Sequence, residues 1–291
     1  MLIFREVARA GSLTGAARAL GWTQPAVSQH LAALEREVGL PLVVRGPGGT
    51  TPTEAGEVLL RRADAVAAEL RDAEEELAAL AQLRAGRVRL QAHPSAAATL
   101  VPVAVRALAL AHPGVTVGLV EAEPPEALPA VAAGDADVAL AFGHDGPPAD
   151  LDRLPGLEWL PLREEPLLLV LPPDESPPGR AGLASYAGAD WVGGCERCRV
   201  HLVACCRRAG FEPTLRHTTD DYVVVQNLVA RGLGVTALPA SALAAYRHPD
   251  VQVLECAELG RRSVGLALRP GALQVPATAA LVAELRTAAR D

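Results

Sequence analysis

Lysine is missing from this 291-residue chain, so all 27 basic residues are arginine. Replacement of Lys by Arg is a codon-level drift of GC-rich genomes and carries no functional weight here. Aromatic residues make up only 3% of the chain, so the core must be built from Ala, Val and Leu. No apolar run reaches the ~18 residues of a membrane span. The best stretch, Leu100 to Ala111, is cut by Arg106. Arg5, Glu6 and Arg9 stand where an export signal needs an unbroken apolar segment, so a cytoplasmic protein with no membrane partner is expected. Five cysteines in a long intracellular chain are not a disulfide framework. There is no phosphate loop, no Gly-x-Ser-x-Gly elbow and no supported pair of catalytic acids, so neither an enzyme nor a cofactor is expected.

Net charge hides an asymmetry. The chain totals −7, yet residues 1–62 hold seven Arg against five Glu, a local surplus of positive charge. Nucleic-acid contact therefore belongs at the N-terminus. There Phe4, Val7 and Ala8 recur at helical spacing until Gly11, and Ser12 caps a second helix whose Ala16, Ala17 and Leu20 suit close packing. Gly21 ends that helix. A third helix, capped at Thr23 or Gln24 with Pro25 in its first turn, runs to Gly39.

The third helix has an apolar stripe of Val27, Leu31, Leu34 and Val38, which turns Gln24, Ser28, Gln29 and His30 outward. Such residues at the start of the second helix of a pair fit a recognition helix, since Gln pairs with adenine and Ser or His binds a base or phosphate. A β-hairpin pattern follows, with Arg45 before a tip of Gly46-Pro47-Gly48-Gly49; in a winged unit Arg45 would clamp a phosphate or probe the minor groove. On the polar residues alone, a three-helix unit with a solvated face fits equally well.

From Glu54 to about Ala85 there is no Pro, and Leu59, Ala63, Val66, Leu70, Ala73, Leu77 and Leu80 recur at alternating spacings of four and three. That is a heptad seam, and polar flanks favour pairing with a second chain over packing on its own domain. Beyond Gly86 the pattern becomes alternating strands and helices: strands at Val88–Leu90, Val115–Glu121, Asp137–Phe142 and Leu167–Leu171, with helices between and after them. This alternation predicts parallel α/β sheets with ligands at the strands' carboxyl ends. The length suits two lobes, with the chain crossing near Leu162 to Glu165 and again near Leu266.

The ordered set Gly11-Ser12, Ala16-Ala17, Leu20, Thr23 to Ser28, Leu34-Glu35, Gly39, Leu42, Arg45 and Thr53-Glu54-Ala55-Gly56 closely resembles the DNA-binding domain of LysR-type transcriptional regulators. Two departures, Val43 and Pro52, are apolar exchanges at packing positions. By the same likeness the first helix begins abruptly, which suggests a translational start a few residues upstream. His112-Pro113-Gly114-Val115, Gly134-Asp135-Ala136-Asp137 and Ala230-Arg231-Gly232-Leu233-Gly234-Val235 resemble, more loosely, the family's effector domain.

The resemblance implies an α/β multidomain chain. Its parts would be a winged helix-turn-helix over 1–57, a linker helix for dimerisation over 58–86 and a two-lobed, periplasmic-binding-protein-like effector domain over 87–291. Lobe I would take about 87–162 and 266–291, and lobe II about 163–265. Implied partners are double-stranded operator DNA, an unknown small-molecule inducer, a homodimer or homotetramer, and RNA polymerase. DNA-contacting candidates are Ser12, Thr23, Gln24, Pro25, Ser28, Gln29, His30 and Arg45. The inducer cleft would be lined by Ser95, Ala96, Pro124, Phe142, Gly194, Cys195 and Asp221, although Ser95 and Asp221 equally suit helix caps.

One stretch lies outside the family pattern. Cys198, His201 and Cys205 fall along one helical face, with Cys195 at its N-terminal edge and Cys206 next in sequence to Cys205. Three readings stand: cysteines used as small buried hydrophobes, a redox sensor whose thiols are acidified by a helix N-terminus and Arg197 and Arg199, or a zinc site.

Overall fold

The computed structural model describes residues 1–46, 49–154, 156–175 and 182–290. It forms two units, Met1–Ala79 and Leu80–Asp291. In the first, α1 (Leu2–Ala10), α2 (Leu13–Leu20) and α3 (Gln24–Val38) are punctuated by Gly11, Gly21 and Gly39, each in the left-handed conformation that ends a helix. Phe4, Val7, Ala16, Val27, Leu31 and Leu42 form its core. Val38, expected in the buried stripe of α3, is instead 43% exposed, because the core ends about one turn earlier and the helix runs past it.

The hairpin of β1 (Val43–Gly46) and β2 (Gly49–Pro52) is antiparallel, with Arg45 opposite Thr50. The Pro47-Gly48 part of the expected tip lies outside the described residues. Thr53 then ties the hairpin to α4 (Glu54–Ala81): its hydroxyl donates to the Pro41 carbonyl at 2.7 Å and accepts from Gly56 N–H at 3.0 Å. A side chain at Gly56 would collide with the Leu42 carbonyl, which explains the glycine. The helix ends at Ala81, short of the expected 85, and Leu83 takes a left-handed conformation beyond it.

The second unit begins with β3 (Gly86–Ala92), α5 (Pro94–Ala98), α6 (Leu100–Ala111), β4 (Val115–Glu121), α7 (Pro124–Ala133) and β5 (Val138–His144). The chain continues through β6 (Glu158–Leu171), β7 (Asp190–Gly193), α8 (Glu196–Arg208), β8 (Thr214–Thr218) and α9 (Tyr222–Ala230). It closes with β9 (Thr236–Pro239), α10 (Ala240–Ala245), β10 (Gln252–Glu255), β11 (Arg261–Leu268) and α11 (Pro276–Ala288). The sheet order β10-β6-β11-β5-β3-β4, with β9 also on β6, corrects the expectation of parallel sheets. Only the β3–β4 and β3–β5 pairs of this sheet are parallel; β6 and β11 run antiparallel to their neighbours.

These two strands make the fold two-lobed. The first part of β6 joins a core of Val88, Leu90, Leu140, Phe142, Leu266 and Leu281, while its end joins a second core with Leu169, Leu171, Trp191 and Leu202. Leu162 to Glu165 thus lies within one continuous strand. The return crossing falls at Arg261–Arg262, paired with Pro166 and Glu165, and not near Leu266, which sits opposite Leu140 and Leu160 inside the first core. Register shifts between Val264 and Gly265, where a side chain would strike the Trp159 ring.

Candidate DNA-recognition face and interlobe cleft

The start of α3 offers a polar face. Gln24, Pro25, Gln29 and His30 are exposed and Ser28 is half-buried. Thr23 occupies the N-cap position without a side-chain bond to the helix. This leaves its hydroxyl and the first backbone N–H groups of α3 available to an anion. Trp22 flanks His30, with ring centroids 5.2 Å apart. Arg45 reaches back from β1 to donate to Ser28 Oγ at 3.5 Å, bringing hairpin and helix onto one surface. Ser12 is committed locally: its Oγ accepts from Gly15 N–H at 3.0 Å and caps α2.

Only part of the heptad seam stays open. Leu59 packs on the first core and Ala63 is fully buried, beside Asp64, which accepts from Arg5 at 2.7 Å and Arg9 at 2.8 Å. Those guanidiniums hold the Asp64 carboxyl below its ordinary pKa, and α4 is thereby tied to α1. Val66, Leu70, Leu77 and Leu80 are 43–66% exposed.

The lobes meet over a polar cluster that the sequence reading largely missed. Arg262, fully buried, donates through Nε to Glu165 at 2.6 Å and through Nη2 to Ser241 Oγ at 3.1 Å and to Ser95 Oγ. Its guanidinium lies 4.5 Å from the Phe142 ring centroid. Glu165 also accepts from Ser241 N–H. The Ser95 hydroxyl is therefore already engaged, with His93 Nδ1 a further 3.1 Å away. Ala96 and Pro124 are buried, and Gly194 and Cys195, at the start of α8, are half-buried. Asp221 is exposed and caps α9, its Oδ1 accepting from Val223 and Val224 N–H.

Several buried polar atoms here have no partner: Arg262 Nη1, His93 Nε2, Glu123 Oε2 and both ring nitrogens of His144. Burial, with Arg262 second, keeps His93 well below its ordinary pKa. His144 is pushed down to about 3, again by burial first and then by neighbouring His201. His144 and His201 stack with centroids 3.9 Å apart, joining the end of β5 to α8. A cavity of about 840 Å³ opens beside this stack between α7 and α8, and an enclosed one of about 20 Å³, lined by Cys198 and Gly194, lies behind it.

The cysteines divide into two kinds. Cys205 and Cys206 are buried in the second lobe, where burial raises their pKa values, Cys206 to about 12. His201 Nε2 lies 2.8 Å from the Leu259 carbonyl and 3.3 Å from Cys205. Cys195 caps the N-terminal end of α8, and it and Cys198 pack against the first lobe's core. The Cys198 thiol draws Cys195 down to about 7, while Cys198 is itself pushed well above the ordinary value. Among the described residues no group of three His, Cys, Asp or Glu side chains is disposed to hold a metal ion, so Cys195, Cys198, His201 and Cys205 do not converge as the zinc reading requires.

Arg262, Glu165, Ser241, His93, His144 and Glu123 were not singled out by sequence reasoning. The available signal was slight, since Arg262 stands between Arg261 and Ser263 ahead of the apolar run Val264–Leu268.

Comparison with known proteins agrees with this architecture. Residues 1–57 match the family described as bacterial regulatory helix-turn-helix protein, lysR family, and residues 81–290 match the LysR substrate binding domain. A probable hydrogen peroxide-inducible genes activator of Streptomyces viridosporus is 31% identical, over 99% of this chain and 93% of its own length. The transcriptional regulator TdcA of Escherichia coli K12 is 28% identical, over 82% of this chain and 76% of its own. Full-length CbnR complexed with its target DNA superposes with a TM-score of 0.60 at 25% identity, covering 99% of this chain and 97% of that one. Oxidised OxyR of Corynebacterium glutamicum shares the fold, with a TM-score of 0.74 at 23% identity and coverage of 99% and 92%. The chain belongs to the LysR family of bacterial transcriptional regulators.

Proposed function

We propose that this chain regulates transcription by binding a two-fold operator as a homodimer or a dimer of dimers, with α3 in the major groove. The carrying observation is the shared surface of Gln24, Ser28, Gln29, His30 and Arg45 at the start of that helix. Side chains at a helix start reach base edges, and Arg45 beside them supplies phosphate contact. The related CbnR has been seen on its target DNA, which supports the reading. The exposed part of the α4 seam supplies the pairing surface. Fluorescence anisotropy on the protein's own upstream intergenic DNA, against scrambled DNA at one salt concentration, tests it.

Control passes through the interlobe cleft, where a small-molecule inducer would satisfy Arg262 Nη1 and His93 Nε2 and bias the lobes. A second reading, thiol control at Cys195 and Cys198, is favoured by one observation. Cys195 has its pKa drawn to about 7 at a helix N-terminus, so much of it is thiolate near neutral pH. Relatives called probable hydrogen peroxide-inducible genes activators support it. Anisotropy repeated on reduced and peroxide-treated protein separates the two readings.

A further inference from the structure

The cavity of about 840 Å³ between α7 and α8 is separate from the Arg262 cluster: Ser95, Phe142 and Arg262 do not line it. One wall belongs to the first lobe, with Pro125 and Pro129 of α7, His144 at the end of β5, and Asp150, Arg153 and Leu154 in and just after the short turn Ala149–Arg153. The other belongs to α8 of the second lobe, with Glu196, Arg197, Val200 and His201.

The polar part of this lining is only partly satisfied. Arg197 donates through Nη2 to Asp150, so these two charges answer each other from lobe to lobe. The Arg197 Nε is buried without a partner. Both ring nitrogens of His144 are likewise buried and unpartnered, and the ring, kept neutral by burial, leaves one N–H and one lone pair unanswered. Two further charges remain. Arg153 on the first wall and Glu196 on the second are exposed, and among the described residues neither belongs to an ion pair.

We propose that this cavity binds a small zwitterion with an apolar side chain, an α-amino acid or a short peptide, whose carboxylate meets Arg153 and Arg197 Nε and whose ammonium meets Glu196. A simple anion would leave Glu196 unanswered, and a simple cation would leave Arg153 so; a guest with one charge of each sign satisfies both. Pro125, Pro129, Leu154 and Val200 supply apolar surface for its side chain. The volume falls in the ~300–1,000 Å³ range of small-molecule sites, which leaves room for a dipeptide. The amide N–H and C=O of a dipeptide would also answer the two His144 nitrogens. Because Arg153 and Glu196 stand on different lobes, the guest ties the lobes together at a point apart from Arg262. The inference concerns binding alone and does not depend on how operator recognition is controlled.

Isothermal titration calorimetry on the full chain tests it, with leucine, phenylalanine and leucyl-leucine as zwitterions. Isocaproate, which is leucine without its amino group, and isoamylamine, which is leucine without its carboxyl group, serve as single-charge probes. Saturable one-to-one binding of a zwitterion is expected, with both single-charge probes at least about tenfold weaker, since each forgoes a charge-assisted hydrogen bond. Binding of a free amino acid assigns the cavity to amino acids, and binding of leucyl-leucine alone assigns it to peptides. Arg153→Gln and Glu196→Gln alter exposed side chains, so the fold is kept, and each should weaken the zwitterion at least about tenfold. Absence of saturable binding by every zwitterion at millimolar concentration overturns the proposal. So does a single-charge probe that binds as tightly as leucine, or zwitterion binding that is unchanged in either variant, which would place the guest elsewhere.

Discussion

Arg262 and Glu165 form an ion pair with almost no access to solvent, closed by the hydroxyls of Ser95 and Ser241. Removing one member of such a pair leaves its partner charged and dry, which costs about 3–5 kcal/mol. Arg262→Met should lower unfolding stability by about that much, and denaturant melts read it directly. The buried histidines give a pH signature of definite sign. The folded chain keeps His144 neutral down to about pH 3, whereas the unfolded chain takes up the proton near 6.5. Stability contributed by the neutral ring is thus complete above about pH 6.5 and lost as pH falls toward the folded value. His93, depressed in the same direction, adds to the loss. Stability should fall below about pH 6.5 by up to about 1.4 kcal/mol per pH unit for each ring. His144→Phe should flatten that slope, as urea melts at pH 4.5, 5.5 and 7 would record.

At the scale of elements, α4 separates its work along its length. Its first turns are held to α1 by the Arg5–Asp64–Arg9 cluster, Ala63 and Ala67 are buried, and Val66, Leu70, Leu77 and Leu80 stay exposed. Leu70→Glu places a charge on the open part of the seam. Operator binding should be lost while the second unit keeps its melting transition; unchanged operator affinity would refute pairing through this helix. This division also shows what the sequence could disclose. Helices α1 to α3 were readable because Gly11, Gly21 and Gly39 punctuate them, and α6, β4 and α9 because local periodicity decides them. The mixed sheet was not readable, since the direction of β6 and β11 depends on partners far along the chain. Arg262 and Glu165 join the cleft only through that long-range pairing, 97 residues apart in sequence. Ser95 and Cys195 were accessible earlier because a resemblance to a family placed them.

For the whole molecule, an inducer or a thiol event acts on DNA only if it favours one arrangement of the lobes over another. Such coupling is reciprocal, so operator DNA should change inducer affinity by the same factor that inducer changes operator affinity. The cleft suits this role because the unpaired His93 and Glu123 atoms belong to the first lobe and the unpaired Arg262 atom to a strand that joins it to the second. A dimer presents α3 twice, so two half-sites separated by about one helical turn or a small multiple of it are expected. The central claim is that α3 reads sequence, and anisotropy of the full chain on its own upstream intergenic DNA tests it most directly, with scrambled DNA of equal length and Gln29→Ala alongside. The account predicts preference for the upstream DNA by roughly 10³-fold or more, with Gln29→Ala losing about 1–3 kcal/mol of that discrimination. Equal affinity for upstream and scrambled DNA, indifferent to Gln29, would contradict it.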